Sequence, residues 1–431
     1  MRTKTDHEIR DPIHVFIHMN SDERKVLDSR PVQRLRHIHQ LAMTNLIYPG
    51  ATHTRFEHAI GTMEVASRIF DIVTDEKHNK RSGFSVGGTF EREYWKRVVR
   101  VAALLHDIGH PPFSHASVQL FMKEWDHERM TREIIKSEYL ESKCRDLKIN
   151  VDDVALLAVG PERSKKGVVT TLKAILSEIV TSDAFGADRI DYLLRDSYHS
   201  GVAYGKFDHY RLIETLRILP KEYEGTEEPA LGVESGGLQS AEALLLARYF
   251  MFTQLYFHPI RRIYDIHLTD FLHASLSGGT FPTNIDEYFN LTDNEIMTNI
   301  YQAYQDENHP AHIHAVRIMD RKHFRLLYVR NPIDSPRAIG AGKAIYDAAC
   351  KEFGDENLRH DPYVQKGSDV SFPVLEMDDR VVSSRDISEV LERIPEVKID
   401  TVYIEPGLEE KAKKWLEKER EGIIESKVLR K

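Results

Sequence analysis

The chain has 431 residues, of which 41% are hydrophobic, so it is long enough for two or three domains with sizeable cores. Its formal net charge of −9 does not favour a surface built to coat nucleic acid. The two cysteines, Cys144 and Cys350, predict no disulfide framework. No apolar run approaches the roughly 18–20 residues that span a membrane, and the first residues lack an apolar segment. We therefore expect a cytoplasmic protein that binds no membrane.

The first two thirds of the chain predict mainly helices. Residues 8–18 alternate as in a strand or hairpin arm, and a long helix begins near Thr54. Another helix runs from about Glu93 to Gly109, because Pro111 and Pro112 prevent its continuation. The other predicted helices cover residues 21–42, 115–124, 127–140, 151–158, 170–200, 208–219 and 238–258.

Turn-forming residues become more frequent after about residue 305. The predicted strands there cover residues 323–330, 371–376 and 400–404, and the predicted helices cover 340–353, 384–393 and 407–430. These patterns predict a mainly α fold, with a large helical body over residues 1–305 and a smaller α+β region over 306–431. The C-terminal region is a candidate for oligomerisation or regulation.

The stretch LLHDIGHPPFSH, from Leu104 to His115, concentrates metal-binding and proton-transfer groups at the end of a predicted helix. A catalytic metal needs at least three nitrogen or oxygen ligands and one open position. The adjacent His106 and Asp107 can supply two of these ligands. His110 and His115, with His127 further on, are candidates for contacting phosphate or transferring a proton. A single histidine of this kind is more often structural, but three beside an HD pair favour a reactive site.

His58 and Asp188 are the candidates for the remaining metal ligands. Arg55 lies three residues before His58 on the same helix face, and a guanidinium beside a metal suits a phosphate substrate. Asp188, Tyr192 and Asp196 share one face of their predicted helix at i, i+4 and i+8. The alternative interpretation of this face is a salt-bridged surface stripe that includes Arg189 and Arg195.

Five segments, in this order, resemble the deoxynucleoside triphosphate triphosphohydrolases of the HD-domain superfamily. The resemblance covers roughly residues 8–275 and includes the HD part of the vertebrate SAM-and-HD-domain enzymes and bacterial dGTPase-like homologues. The segments are QRLRHIHQL, YPGATHTRFEHAIG, LLHDIGHPPFSH, ADRIDYLLRD and YFHPIRR.

The resemblance implies an HD-domain helical body with four metal ligands, which are His58, His106, Asp107 and Asp188. It leaves the divalent ion open among Mn, Fe, Ni, Zn and Mg. The implied reaction is an attack of metal-bound water on the α-phosphorus of a dNTP, which gives a deoxynucleoside and inorganic triphosphate.

The resemblance also implies roles for other residues of the site. His110 matches an α-phosphate contact, His115 matches the acid for the leaving 5′-oxygen, and His127 with Glu128 matches a second histidine and its orienting carboxylate. The residues themselves do not divide acid from binder among the three histidines. Phe252 stands where the family has a histidine, which puts one contact in doubt. The implied substrate-binding residues are Gln40, Leu41, Arg55, Arg189, Tyr192, Asp196, Arg248 and Tyr256, the last of which would crowd C2′ of a ribose.

Regulation is a further implication. Asp28, Gln33 and Arg36 match positions that read the guanine of an activating nucleotide, GTP or dGTP, at a subunit interface. This would require a homo-oligomer, such as a dimer or tetramer, although Gln33 and Arg36 could equally be packing or helix-surface residues.

Two alternative functions remain. One is an HD phosphohydrolase that acts on another nucleotide or on single-stranded nucleic acid, and the other is a nucleotide-sensing regulatory protein. Basic clusters at Lys77–Arg81 and Lys411–Lys414 keep a nucleic-acid partner open, although solvated loop and helix faces are the favoured explanation for them.

Overall fold

The computed structural model describes residues 7–78, 84–161, 170–223, 226–331, 334, 340–364 and 371–428. Within these ranges, nineteen α-helices and three small sheets confirm the predicted mainly α fold. None of the described helices is long and apolar enough to cross a membrane. The chain forms two compact units. Unit 1 comprises Met1–Met251, Thr280–Ile296 and Asp369–Ile394, and unit 2 comprises Phe252–Gly279, Met297–Ser368 and Pro395–Lys431.

Unit 1 begins with an antiparallel hairpin, β1 (His7–Asp11) and β2 (Val15–Met19). The Asp11 carboxylate closes the turn, because Oδ1 accepts the backbone N–H groups of Ile13 and His14 at 2.9 and 2.8 Å. The helices that follow are α1 (Ser21–Leu27), α2 (Arg30–Arg34), α3 (Arg55–Val73), α4 (Thr89–Leu105), α5 (His127–Ile135), α6 (Glu138–Asp146), α7 (Val151–Val159), α8 (Thr171–Thr181), α9 (Ala187–Ser200), α10 (His209–Glu214) and α11 (Leu238–Met251).

Helix α3 is the centre of this unit and packs against α4, α8 and α9. Its apolar residues Phe56, Ile60, Met63, Ile69 and Phe70 are buried, but so are polar residues on its other sides, including His58 and Thr62. Polar side chains on a helix that is buried on nearly all sides need hydrogen-bond partners, because water cannot reach them. Neighbouring elements must supply these partners.

A four-stranded sheet completes unit 1. Strands β3 (Leu216–Tyr223) and β4 (Thr226–Glu234) form an antiparallel hairpin. Much later in the chain, β7 (Pro373–Leu375) adds to β4 in parallel, and β8 (Val381–Ser383) follows it. The remaining helices of this unit are α13 (Ile285–Phe289), α17 (Ser384–Ile387) and α18 (Glu389–Arg393), and α14 (Asp293–Gln305) begins in it.

Several helix predictions were too long, including those over 127–140 and 170–200, each of which divides into two helices. The predicted helix over 208–219 ends at Glu214, because the residues after it alternate and pair with β4. The helix predicted over 21–42 divides into α1, α2 and a 3-10 turn at Leu35–His37. The helix predicted over 115–124 is replaced by two 3-10 turns, Ser114–Ala116 and Val118–Leu120, because Phe113 and Ser114 both have φ of 57°.

Unit 2 contains an antiparallel sheet in the order β5 (Arg325–Val329), β9 (Lys398–Ile404) and β6 (Leu358–Val364). Because successive strand residues face opposite sides, Val402 and Ile404 pack in one apolar cluster and Tyr403 packs in another. A π-helical turn at Phe252–Tyr256 also belongs to this unit. Its α-helices are α12 (Pro259–Ser275), α15 (His312–Met319), α16 (Ala341–Phe353) and α19 (Glu409–Val428), with the greater part of α14.

These units differ from a single division near residue 305. Residues 369–394 belong to unit 1 although they lie far beyond that position, and residues 252–279 belong to unit 2 although they precede it. The difference arises because β7 pairs with β4 across a long intervening segment. Hydrophobic periodicity within a short sequence segment does not indicate which distant strands will pair.

Candidate metal centre

Three helices bring together the side chains that could hold a metal ion. His58 lies in the first turns of α3, His106 follows the last residue of α4, and Asp188 lies in the first turn of α9. One ligand atom from each lies within 4.8 Å of the other two. Asp107 is adjacent, because its Oδ2 is 3.7 Å from His58 Nε2 and 3.4 Å from His106 Nε2. Three of the four predicted metal ligands therefore converge, and the fourth, Asp107, lies next to the two histidines.

The hydrogen bonds of the two histidines suit metal binding. His106 Nδ1 donates to the carbonyl oxygen of Ala103 at 2.8 Å, and His58 Nδ1 donates to Asp191 Oδ2 at 2.8 Å. Each imidazole therefore presents Nε2 to the centre, and a bound cation would take the place of the proton through which His58 Nε2 hydrogen-bonds to Asp188 Oδ1 at 3.0 Å. His106 Nε2 is buried and has no hydrogen-bond partner. A donor set of two imidazoles and two carboxylates fits a divalent ion of the transition series or Mg.

The two acidic ligands are ionised at neutral pH. Burial raises the pKa of Asp107, but the Arg55 guanidinium and His106 outweigh burial and hold the pKa well below its ordinary value. For Asp188, burial is likewise outweighed by the close approach of His106 and His58, so its pKa is lowered. Burial lowers the pKa of His58, but its hydrogen bonds to Asp188 and Asp191 raise it to about 10. The carboxylates therefore create a local potential that favours a cation.

Asp191 was missed by sequence reasoning. It is fully buried and accepts hydrogen bonds from His58, His14 and Arg195. Arg195 is also fully buried, so its interpretation as part of a surface stripe is wrong. An acid and a base at i and i+4 among the apolar residues of α9 were the signal that could have indicated a buried ion pair.

Two buried arginines, Arg55 and Arg189, have N–H groups without a partner. Arg55 is 1% exposed, donates from Nε to Ser114 Oγ at 2.8 Å and from Nη1 to Asp107, and has no partner at Nη2. Arg189 pairs with Asp183 at 3.1 Å but leaves Nε and Nη1 without a partner. After burial, Arg189 is the largest cause that lowers the pKa of Arg248, so these two guanidinium groups lie close together. Buried, unpaired guanidinium N–H groups suit a polyanion such as a phosphate chain.

The three predicted histidines form a group. The His110 ring centroid lies 4.4 Å from that of His127 and 4.9 Å from that of His115, and His110 Nε2 is 3.3 Å from Asp107 Oδ1. Burial and then Arg55 hold the pKa of His110 well below its ordinary value, so it is neutral at physiological pH. Burial also lowers the pKa of His127, and the exposed Glu128 opposes this shift. His115 is exposed to solvent.

Most of the predicted sugar-binding residues also lie in unit 1. Asp196 Oδ1 accepts a hydrogen bond from His53 Nε2 at 2.7 Å, and Gln40 N–H donates to the carbonyl oxygen of His53 at 3.0 Å. The buried Oε1 of Gln40 has no partner. Sequence reasoning missed His53, which connects these two residues. Leu41 is buried, and Tyr192 raises the pKa of Arg248 against the larger effect of burial.

Tyr256 belongs to unit 2, where it ends the π-helical turn and its ring lies 5.0 Å from that of Phe252. Its role against the sugar stays a prediction.

The predicted activator residues make contacts within the chain. Asp28 pairs with Arg24 at 3.0 Å, and Gln33 Oε1 accepts a hydrogen bond from Arg36 Nε at 2.8 Å. The Arg36 guanidinium lies 3.5 Å from the ring centroid of Phe56. Their nucleotide-binding role stays a prediction, as does the role of the basic clusters, of which Lys77–Arg81 lies partly outside the described residues.

A second group in unit 2 fits a metal less well. His267, Asp270 and His314 also have ligand atoms within 4.8 Å of one another. However, His267 Nε2 accepts the backbone N–H of Phe324 at 3.1 Å, so its hydrogen is on Nδ1. Asp270 pairs with Arg359 at 3.0 Å. Neither residue therefore offers a free lone pair or an uncompensated charge to a cation.

Comparison with known proteins agrees with this geometry. The family model described as HD domain matches residues 55–178, and the model described as HD associated region matches residues 207–336. The chain is 37% identical over 60% of its length to an uncharacterized protein of Methanocaldococcus jannaschii and 31% identical over 69% of its length to the uncharacterized protein YwfO of Bacillus subtilis. It is 27% identical over 85% of its length to deoxynucleoside triphosphate triphosphohydrolase SAMHD1 of Mus musculus.

The chain spans 47%, 66% and 60% of the lengths of these three relatives. A crystal structure of a hypothetical protein from Aquifex aeolicus matches with a TM-score of 0.78 and 29% identity, over 95% of this chain and 100% of that chain. Residues 55–178 therefore form an HD domain, and the chain resembles the deoxynucleoside triphosphate triphosphohydrolases that contain this domain.

Proposed function

We propose that the chain is a metal-dependent phosphohydrolase that converts dNTPs to deoxynucleosides and inorganic triphosphate. The observation that carries this proposal is the convergence of His58, His106 and Asp188, with Asp107 and the unpaired Nη2 of its partner Arg55 next to them. This arrangement can hold a cation and a polyanion at adjacent positions. The name of the Mus musculus relative supports dNTPs as the substrate.

The residues of the site have different roles in binding the metal and the phosphate chain. A bound divalent ion would supply an activated water and polarise the phosphoryl group. Arg55 and Arg189 bind and orient the phosphate chain through their unpaired N–H groups. The neutral His110 can donate or accept a hydrogen bond near the reacting phosphate, but it does not act as a general acid because it is not protonated.

The leaving 5′-oxygen requires a proton. Among the three histidines, His115 is the one that is exposed to solvent, so it can regain a proton after each turnover. We assign His115 as the acid and His127, with Glu128 near it, as a phosphate contact. Gln40, Leu41, Tyr192 and Asp196 bind the sugar, and Tyr256 excludes a 2′-hydroxyl.

The activity is tested by incubating the protein with each dNTP and each rNTP in the presence of Mn, Fe, Ni, Zn or Mg and resolving the products. We expect triphosphate from dNTPs and little turnover of rNTPs. Release of pyrophosphate or orthophosphate would contradict the proposed bond cleavage, and equal turnover of ATP and dATP would contradict the role of Tyr256. Elemental analysis of the purified protein identifies the resident metal.

Two further outcomes separate the alternative functions. Hydrolysis of single-stranded nucleic acid or another nucleotide, with no turnover of dNTPs, would favour a different HD phosphohydrolase. Tight dNTP binding without hydrolysis under every metal condition would favour a nucleotide-sensing regulator.

Activation by GTP or dGTP is part of the proposal. It is supported by the match at Asp28, Gln33 and Arg36, and it requires a homo-oligomer. Gel filtration and rate measurements with and without dGTP test it. An increase in mass and rate is expected, and an Arg36→Ala variant should lose the response while keeping its basal rate. No change in either quantity for the wild type would contradict it.

A further inference from the structure

The turn of the N-terminal hairpin is connected to the metal centre by hydrogen bonds to one buried carboxylate, that of Asp191. Asp191 Oδ2 accepts the Nδ1–H of the proposed ligand His58 at 2.8 Å. Its other oxygen, Oδ1, accepts a hydrogen bond from Nε2 of His14 at 2.7 Å. His14 lies in the turn between β1 and β2, 177 residues away in sequence. The two imidazoles therefore share one carboxylate, and only one of them faces the metal centre.

Arg195 completes this network. Its Nε and Nη2 donate to Asp191 Oδ2 and Oδ1, both at 2.9 Å, and its Nη1 donates to Asp11 Oδ2 at 2.9 Å. Asp11 is the residue whose other oxygen closes the hairpin turn. Asp11, His14, Asp191 and Arg195 are all buried, with exposures between 0 and 3%. Each charge is paired, as burial in an apolar interior requires.

Helix α3 leaves space for this network. A Cβ atom at Gly61 would lie 2.0 Å from Asp191 Oδ1 and 2.3 Å from Arg195 Nη2. Gly61 is three residues after His58, on the side of α3 that faces α9. The absence of a side chain at this position allows the carboxylate to stand within hydrogen-bond distance of His58.

We propose that the turn of the N-terminal hairpin is a positioning element of the metal centre, in which His14 and Asp11 fix the Asp191 carboxylate that orients His58. A carboxylate behind a histidine ligand fixes its tautomer and ring orientation, and its loss typically lowers metal affinity about 10- to 100-fold. His14 acts through Asp191, so it is a positioning residue and touches neither metal nor substrate. The inference rests on the metal-binding part of the proposed function and not on the identity of the substrate.

The test compares variants of the full chain after removal of metal with a chelator. Mn²⁺ is titrated into each protein, and free Mn²⁺ is measured by electron paramagnetic resonance. Co²⁺ absorption spectra report the coordination geometry. We expect His14→Leu to weaken Mn²⁺ binding about 10-fold and to change the Co²⁺ spectrum. His14→Gln should restore both, because its amide N–H can reach Asp191.

The matched control is His18→Leu in the same hairpin, since His18 is exposed and its nearest carboxylate, Glu8, is 4.0 Å away. Circular dichroism establishes that each variant is folded during the titration. If His14→Leu does not fold, His14→Asn takes its place, because asparagine is polar but too short to reach Asp191.

Unchanged Mn²⁺ affinity in a folded His14→Leu or His14→Asn protein would overturn the inference and leave the proposed function intact. A wild-type protein that binds no divalent ion would overturn both.

Discussion

At the scale of single residues, the metal ligands were predictable and their supports were not. His58, His106 and Asp188 could be predicted because ligand chemistry depends on residue type, and the HD pair lies at a recognisable helix end. Asp191 and His14 could not be predicted in this way, because the role of a buried polar residue depends on its hydrogen-bond partner. These two residues are partners of each other and lie 177 residues apart in the sequence. The same limit hid His53, which holds Asp196.

Removal of the Asp188 carboxylate should abolish metal binding without unfolding the protein. Asp188 is a ligand candidate at the start of α9 and its side chain is 36% exposed, so the fold does not depend on it. We expect Asp188→Ala to lose bound metal in elemental analysis and to lose hydrolysis, with an unchanged circular dichroism spectrum. Asp152→Ala is the control, because Asp152 is an exposed carboxylate paired with Lys136. A fully active Asp188→Ala protein would remove Asp188 from the site.

Gly61 and Gly422 should respond in opposite directions to the same substitution. Alanine in a helix interior is normally more stable than glycine by about 0.5–1 kcal/mol. Nothing lies within 4 Å of a Cβ at Gly422 in α19, so Gly422→Ala should gain about that much. Gly61→Ala should instead lose about 1–3 kcal/mol, because the methyl group meets the Asp191–Arg195 pair. Urea unfolding of both variants decides this, and stabilisation by Gly61→Ala would contradict the observed close approach.

At the scale of elements, the sequence predicted long amphipathic helices well and short irregular segments poorly. Helix α3 begins one residue after the predicted start at Thr54. The segment after Pro112 was wrongly predicted as a helix, because the positive φ angles of Phe113 and Ser114 depend on tertiary contacts. One of these is the Asp293 carboxylate, which accepts the Phe113 N–H at 2.6 Å.

His267 on α12 should make stability depend on pH. Burial, followed by the charges of Arg317 and Arg359, lowers its pKa to about 2. The folded state therefore keeps His267 neutral, whereas the unfolded state takes up a proton below about pH 6.5. Its contribution to stability is complete above pH 6.5 and is lost as the pH falls.

The matched variant is His267→Gln, whose side-chain oxygen can still accept the Phe324 N–H. Relative to the wild type, it should gain about 1.4 kcal/mol of unfolding free energy per pH unit below 6. Urea unfolding between pH 5 and 7.5 measures this difference. Parallel pH profiles for the two proteins would contradict the buried, neutral state of His267.

At the scale of the whole molecule, the chain does not divide where its composition changes. The Gly, Pro, Asn and Asp content after residue 305 reflects local turns, whereas compactness depends on which strands pair. Strand β7 belongs to unit 1 and contains the buried Val374, and the buried Phe372 immediately precedes the strand. The ring centroid of Phe372 lies 4.7 Å from that of Phe185. Only a long-range contact could have indicated this.

A fragment of residues 1–305 should therefore be less stable than the full chain. It lacks residues 369–394 of unit 1 and leaves the edge of β4 and the ring of Phe185 uncovered. We expect a lower melting temperature and faster proteolysis than in the full chain. Within the full chain, Val374→Asp should have a similar effect, because Val374 is completely buried. A fragment that melts at the same temperature as the full protein would support a domain boundary at residue 305.

The parallel pairing of Val233 with Val374 also sets an order of events during biosynthesis. At roughly 5–20 residues per second, a ribosome delivers β7 on the order of ten seconds after β4. Helices α3, α4 and α9, which carry the metal ligands, have left the ribosome before that time. The nascent chain can thus assemble its ligand cluster while the β4 edge is still open. The β4 edge stays exposed until β7 emerges, and an unpaired strand edge of this kind favours aggregation of the nascent chain.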